Sequence, residues 1–467
     1  MRKILFLLII LNALVLTACV PTDDGVTPTH DFSINEYYQD NCIILHNENF
    51  IINGESEPGV LLTAELFNEL DKKVEHTSCI ADIDGKFTLT LSAPSASYQS
   101  YRLVINDSVN EKEIKNIKFG EIWIFAGEGV DEYNSDYDSE CDSVSFYTFN
   151  EGKYSWKNNI DDLNNNYIEY FAKQLSEKID KPVGIIDATL SEGHADAWLS
   201  FEVANKYLRV QNYLKEINRY SDDDKNIILK SDNLSSMYNT FIEPLKNINI
   251  RGFIWNQGNS EISEDFDKVA QDYSYLLMIL FSELEAFFNN DIMIFSIQEN
   301  SFGNRNFDLL RTAQSIPTFQ VKNVNLIPTY DCYEVDEEIK LDYDSFNKRI
   351  INTITNDVYQ SKNDYSAISY NNIVVNANTY EIIFEKQLLE IEELNGLLIC
   401  DEFHNPLTYE FDIDDNKLII SLLEEDAQAK YIYFGYNNNI YENNLKTATG
   451  IPIIPFFIEL DVESARK

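Results

Sequence analysis

The run Ile122-Trp-Ile-Phe125 ends at Gly127-Glu-Gly129 and passes into the acidic stretch Val130-Asp-Glu-Tyr133. Bulky, β-branched and aromatic residues favour an extended strand, and a Gly-x-Gly pair permits a sharp turn with positive φ. Carboxylates suit the first turn of a helix, where they meet the positive end of its dipole. A strand, tight turn and helix in succession demand a layered α/β domain. Such a unit presents the residue on its turn at the carboxyl edge of the sheet, the position of a reactive side chain in many hydrolytic enzymes. Here Gly129 occupies that position, and glycine has no side chain to react.

The surrounding sequence extends the pattern. From Phe119 to Asp357, strand-like runs at Ile122–Phe125, Val183–Asp187, Ile250–Trp255, Ile292–Ile297 and Asn325–Tyr330 alternate with helical periodicity. Helices are expected over Tyr167–Ile179, Ala197–Lys206, Ser236–Asn247 and Tyr273–Phe288, which gives an α/β domain on a parallel sheet. The acidic insertions Asp136–Asp142 and Ser221–Asp232 are expected as solvated loops.

On either side the period is two. Residues 32–118 carry Cys42-Ile-Ile-Leu-His46, Val60-Leu-Leu-Thr-Ala64 and Lys86-Phe-Thr-Leu-Thr-Leu91, with a hairpin turn at Asp84-Gly85. Residues 364–467 return to alternation, with turns at Glu393-Leu-Asn-Gly396 and Asp412-Ile-Asp-Asp-Asn416. Both are expected as β-sandwich or jelly-roll-like units.

Residues 1–19 begin with Arg2-Lys3 and the apolar run Ile4–Leu16, the pattern of a secretory signal peptide. Leu16-Thr17-Ala18-Cys19 resembles a bacterial lipobox, in which Cys19 is lipidated, and residues 20–31 form a Pro/Thr/Asp tether. The alternative of an uncleaved anchor helix requires a longer apolar span. The expected location is the bacterial cell envelope, with a globular part outside the cytoplasm held to the membrane through the lipid alone. A formal charge of −42 argues against nucleic acid or anionic lipid as an electrostatic partner. Cys42, Cys79, Cys141, Cys332 and Cys400 lack metal-type spacing, and no cofactor or metal motif is present. A Cys42–Cys79 disulfide and free buried thiols both remain open.

The segment Gly120–Tyr133 resembles the Gly-Glu-Val-Trp-Leu-x-Ser-Gly-Gln-Ser-Asn-Met block of the sialate O-acetylesterase family, a branch of the SGNH hydrolases. The resemblance continues through Gly54-Glu-Ser-Glu-Pro-Gly59, Ala81-Asp-Ile-Asp-Gly-Lys-Phe87 and Lys181-Pro-Val-Gly-Ile-Ile186. It is densest at Ile250-Arg-Gly-Phe-Ile-Trp-Asn-Gln-Gly-Asn-Ser260, and resumes at Tyr433-Phe-Gly-Tyr436 and Gly450-Ile-Pro-Ile-Ile-Pro-Phe456. It implies an SGNH-type, flavodoxin-like three-layer domain over residues 119–357, flanked by the two β units. It implies also a pocket that takes a glycan, an O-acetylated sugar or sialoglycan, formed by Gly127, Glu128, Gly193, Gln257 and Gly258. Gly193 would supply an oxyanion-hole N–H and Gln257 a side-chain donor.

The same matching places Gly129 on the family's nucleophilic Ser, Asn259 on its Glu, Glu338 on its Asp and Lys340 on its His, with Arg349 downstream. An ester hydrolase of this kind needs a nucleophile, a base and a group that orients the base. All three are substituted, so the resemblance implies a pseudo-esterase that retains glycan binding. An active carbohydrate O-acetylesterase working through displaced residues is the alternative. Ser191 and His194, near Asp187 and Asp196, would supply it, against a bland reading as ordinary loop residues. Glu128, Asp131 and Glu132 suggest helix capping first, and a carboxylate or cation site second. Among the tryptophans, Trp123, Trp198 and Trp255 are expected in the core, and Trp156 is the one expected to be exposed.

Overall fold

A computed structural model describes residues 31–130, 133, 143–158, 166–221, 228–289, 291–301, 303, 306–336, 338–361, 364–424 and 427–460. Cys19, Cys141, Asp131 and Glu132 lie outside them.

The amino-terminal region contains β1 (Ser33–Ile34), β2 (Ile43–Leu45), β3 (Asn49–Glu55), β4 (Leu61–Phe67), β5 (Lys73–Ile80), β6 (Lys86–Ser92) and β7 (Ser97–Asn106). Alternation decides which side each strand buries. In β6, Phe87, Leu89 and Leu91 face inward while their neighbours are exposed, and β4 turns Leu62, Ala64 and Leu66 to the same core.

The strand β8 (Glu111–Gly127) is 17 residues long and joins two environments. Its first half pairs antiparallel with β7, and its exposed residues there alternate with buried ones. From Ile117 onward every residue is buried, because the strand now has packed layers on both faces. There it pairs in parallel with β2, β11 (Val183–Thr189) and β12 (Gly252–Asn256). The chain is continuous across Lys118–Phe119, so the β unit and the α/β unit share this one strand.

With β9 (Val144–Asn150), β10 (Lys153–Lys157), β13 (Met293–Ile297) and β14 (Val324–Ile327), the main sheet has 11 strands. It is mixed, not wholly parallel: β10, β7, β4 and β5 enter antiparallel. The parallel strands β8, β11, β12, β13 and β14, counted along the chain, lie in the order 2-1-3-4-5. That is the flavodoxin-like order, whose switch point falls at β8 and β12.

One face of this sheet is covered by α1 (Asn166–Ile179) and α6 (Tyr343–Tyr359), the other by α2 (Phe201–Lys206), α3 (Leu208–Glu216), α4 (Phe266–Phe287) and α5 (Phe307–Gln320). The helix expected over Ala197–Lys206 is divided: Ala195–Trp198 is a 3-10 turn, and Ser200 caps α2 by accepting from the Val203 N–H at 3.1 Å. Over Ser236–Asn247, Pro244 halts regular helix, leaving a π turn at Tyr238–Ile242 and a 3-10 turn at Glu243–Leu245.

After the hairpin β15 (Tyr333–Val335) and β16 (Ile339–Leu341), the carboxyl-terminal unit forms two antiparallel sheets around one core. One sheet holds β17 (Tyr370–Asn376), β18 (Thr379–Phe384), β20 (Tyr409–Asp414) and β21 (Lys417–Leu422); the other holds β19 (Leu397–Cys400), β22 (Tyr431–Phe434) and β23 (Phe456–Glu459). It is pinned to the α/β unit by Tyr330, whose hydroxyl donates to the Ile453 carbonyl at 2.8 Å. A second pin is Lys446, which donates to Asp331 at 2.7 Å.

A buried charge cluster closes the amino end of the main sheet. Glu121, fully buried, accepts from Lys181 at 2.8 Å and from Arg251 at 2.7 Å, and meets His46 at 3.0 Å. Burial alone would raise its pKa; the bonds from His46, Arg251 and Lys181 outweigh that and hold the carboxyl down at about 2.

Candidate functional site

At the switch point, the carboxyl ends of β8, β12 and β13 open into a polar cavity of about 190 Å³. Its floor is Glu128, Gly129 and Val130 after β8, Asn256 to Asn259 after β12, and Glu299, Asn300 and Ser301 after β13. Leu341 and Phe346 close one side. In a doubly wound sheet this is the place where ligands bind.

Two positive-φ glycines shape the turn. Gly127 has φ 96°, and a Cβ there would lie 2.3 Å from the Asn256 carbonyl oxygen, so β8 and β12 meet only because no side chain intervenes. Gly129 has φ 86° and is buried at the base of the cavity, its carbonyl accepting from the Asn256 amide.

Glu128 turns into the space between β8 and the loop after β12. Its Oε1 accepts from the Gly258 N–H at 2.8 Å and the Ser260 N–H at 3.0 Å. Backbone N–H groups on such a turn are the donors a developing oxyanion would use, and here a carboxylate takes them. Burial raises the Glu128 pKa; these two N–H groups lower it and the nearby Glu299 and Glu261 raise it further, leaving it at about 7.

The remaining positions of the expected triad are dispersed. Asn259 is exposed on the cavity's rim. Lys340 and Glu338 pair with each other at 2.9 Å on the exposed β15–β16 hairpin, with side chains 70% and 74% accessible, and neither lines the cavity. Arg349 is engaged elsewhere, gripping Asp331 through two bonds of 3.1 Å.

Two of the expected pocket donors are committed inward. The Gly193 N–H donates to the Leu190 carbonyl at 3.0 Å, closing a turn. The Gln257 amide donates to the Gly193 carbonyl at 3.2 Å and to Glu261 at 3.0 Å, while its oxygen accepts from the Tyr273 hydroxyl at 2.8 Å. Gln257 and Gly258 line the cavity, but the Gln257 side chain braces the Gly193 loop.

That loop carries the displaced candidates. His194 Nδ1 lies 3.0 Å from Asp232, which also accepts from the His194 N–H and from Arg219. Burial works against a charged imidazole, but Asp232 and Glu261 prevail and the pKa of His194 is raised. Ser191 is exposed, and no hydrogen bond joins it to His194 among the described residues. Neither lines the cavity. Asp196, buried against Arg219 at 2.6 Å, has its pKa pushed up to about 6 by burial, and Asp187 is bonded to Thr189.

Glu299, Asn300, Ser301 and Asp232 escaped the sequence reading. The first three follow the strand expected at Ile292–Ile297, so their place at the strand's carboxyl end was available as a signal. Asp232 had none, since it sits at the end of an acidic loop. Trp123, Trp198 and Trp255 are core residues as expected, whereas Trp156 is also buried, its indole N–H donating to the Tyr37 carbonyl at 2.8 Å. The strand partner β9 and the Tyr37 ring cover it. Cys42, Cys79, Cys332 and Cys400 are free thiols. Among the described residues no cluster of His, Cys, Asp and Glu suits a metal ion, and no helix is long and apolar enough to cross a membrane. A larger cavity of about 320 Å³ lies between the amino end of β14 and the carboxyl-terminal unit, away from the strand ends that carry the site.

No protein-family profile and no curated protein matches the sequence. Among solved structures, the chain is similar to a carbohydrate acetylesterase from Xanthomonas citri, with a TM-score of 0.73 at 16% identity, covering 92% of this chain and 100% of that one. A β-glucuronidase from Ruminococcus gnavus (TM-score 0.29, 10% identity, 72% of this chain and 62% of that) shares too little to bear on the fold. The same holds for the YXIM protein of Bacillus subtilis (0.24, 8%, 65% and 70%). The chain therefore shares the fold of that structure over nearly its full length, with a cavity at the switch point of its sheet.

Proposed function

We propose that this chain is a glycan-binding protein of the cell envelope, a pseudo-esterase that keeps an acetylesterase's cavity without its serine chemistry. The observation that carries this reading is the pair Glu128 and Gly129: glycine stands where the family resemblance would put the nucleophile, and the neighbouring carboxylate takes the Gly258 and Ser260 N–H groups. The exposure of Lys340, far from any cavity-lining role, supports it further. What remains is a polar cleft of carboxylates, amides and Ser301, suited to sugar hydroxyls. The acetylesterase activity of the similar structure is the source of the ligand class. Cys19 would hold the protein to the membrane by its lipid.

A second reading, a carbohydrate O-acetylesterase using Ser191 and His194, has one observation in its favour: Asp232 orients the His194 imidazole as an acid orients a base in a triad. The purified chain is to be assayed for acetate release from p-nitrophenyl acetate and O-acetylated xylan, and for binding to the same glycans. No turnover together with binding that Asn259→Trp abolishes is the expected result. Turnover lost in His194→Ala would establish the second reading in place of the first.

A further inference from the structure

The cavity at the switch point carries two carboxylates and, among the described residues that line it, no Lys, Arg or His. Glu128 enters from the turn after β8 and Glu299 from the loop after β13, and both are half-buried. Each is held through one oxygen. Glu128 Oε1 accepts from the Gly258 and Ser260 N–H groups, and Glu299 Oε1 accepts from the Ser301 N–H at 2.8 Å. Among the described residues no hydrogen bond engages the second oxygen of either.

Charges around the cavity do not cancel these two. Glu261 is occupied by the Ala195 N–H at 2.8 Å, the Tyr213 hydroxyl at 2.8 Å and the Gln257 amide. Arg311 is buried behind Ser301 and directs its donors to the Ser301 and Gly435 carbonyls, so it offsets Glu299 only from outside the cavity. Burial, with Glu299 and Glu261 nearby, keeps the Glu128 pKa at about 7, as expected of a carboxylate without a cation beside it. The placement of Glu128 matters as much as its charge. Two backbone N–H groups converging on one point make a seat for an anion. Here the protein's own carboxylate fills that seat. A sugar acid entering the cavity would meet two carboxylates in a partly dehydrated space, with no N–H pair left to receive it.

We propose that the cavity is a cation-selective sugar site, taking a hexosamine whose amino group is free and charged, and rejecting sialic acid and other sugar acids. The ammonium group supplies three donors for the open oxygens of Glu128 and Glu299. The Asn259 and Asn300 amides and the Ser301 hydroxyl meet ring hydroxyls, while Leu341 and Phe346 offer an apolar wall to C–H groups. N-acetylation removes the charge, so the acetylated sugar loses the ion pairs and keeps the rest. Of the two glycan classes that the sequence resemblance implies, the sialoglycan is the one this charge pattern rejects. The proposal rests on the glycan reading of the cavity and narrows its ligand.

The test is isothermal titration calorimetry at neutral pH and about 0.15 M salt, where the field of the acidic surface is screened within about 8 Å. Three probes are compared: the methyl glycosides of glucosamine, N-acetylglucosamine and N-acetylneuraminic acid. Wild type is expected to bind the glucosaminide about tenfold more tightly than the N-acetylglucosaminide, and the sialoside not at all. Glu128→Gln and Glu299→Gln each keep an oxygen for their backbone N–H partners, and each should reduce that tenfold preference to about threefold or less. Lys340→Ala, outside the cavity, should bind as wild type does. Thermal midpoints report whether each variant is folded, and misfolding of one leaves the other to decide. Equal or tighter binding of the N-acetylglucosaminide, or sialoside binding that Asn259→Trp abolishes, would overturn the charge selection and leave the glycan reading standing. Glucosaminide binding that neither glutamate substitution weakens would assign the cation to the acidic surface at large and overturn the proposal. Binding of none of the three would overturn it too, and binding of O-acetylated xylan then decides the glycan reading by itself.

Discussion

Glu128 gives the fold a pH dependence of its own. Its pKa of about 7 stands above the ordinary 4.5, so the folded chain holds a proton there that the unfolded chain has released. The resulting stability is fully present below pH 4.5 and is lost as pH rises through 7. Glu128→Gln keeps an oxygen for the Gly258 and Ser260 N–H groups and removes the titration. Relative to the variant, wild type should lose about 3 kcal/mol of unfolding free energy between pH 4.5 and pH 8. Urea titrations of both at the two pH values measure it, and parallel pH profiles would refute it. At the next position, φ of 86° at Gly129 penalises any side chain. Gly129→Ser should cost about 1 kcal/mol in chemical denaturation and give no ester hydrolysis, because no histidine lines the cavity among the described residues. The turn itself was legible in the sequence, where a strand-like run meets the Gly127-Glu-Gly129 pair. The oxygen-to-backbone bonds of Glu128 were not, because they depend on how closely β8 and β12 approach, which two unrelated stretches of sequence do not encode separately.

At the scale of elements, β8 does most to organise the molecule. The sequence marked only Ile122–Phe125, since hydrophobicity is continuous there; Glu111–Ile117 alternates weakly and hides its continuity. Helices α5 and α6 were missed for similar reasons: Pro317 lies inside α5, and the charged turn before α6 masks its Asp342 cap. Where β8 enters the parallel layer, Glu121 gathers Lys181 from the start of β11, Arg251 from the start of β12 and His46 from the loop after β2. Removing its charge leaves the half-buried Lys181 and Arg251 cations without the carboxylate they share. Glu121→Gln should therefore destabilise the chain by about 3–5 kcal/mol at pH 7. Because the Glu121 pKa is depressed to about 2 from 4.5, the wild-type advantage is present above 4.5 and fades as pH falls toward 2. Urea unfolding at pH 7 and pH 3 checks both the size and the direction; an equal deficit at the two would show that packing, not charge, sets the cost.

The whole molecule poses the question of whether its carboxyl-terminal unit is an appendage or part of one cooperative structure. Its own core is complete, which suits an independent unit. The contacts argue the other way. Tyr330 is 1% exposed and gives its hydroxyl proton to Ile453, while Asp331 holds Arg349 and Lys446 together. The buried Arg311 reaches Ser301 on one side, and the Gly303 N–H donates to the Asn438 carbonyl at 2.8 Å beside it. Parting the units gives up the bonds that cross between them, from Tyr330 to Ile453, Lys446 to Asp331 and Gly303 to Asn438, at about 0.5–1.5 kcal/mol each, a sizeable part of a domain's stability. All 4 tryptophans, Trp123, Trp156, Trp198 and Trp255, precede the carboxyl-terminal unit, so their fluorescence follows the α/β unit and the amino-terminal strands packed on it, while far-UV circular dichroism follows the whole chain. In urea the two signals should move together in one transition. A circular-dichroism change that precedes the fluorescence change would show the carboxyl-terminal unit opening first.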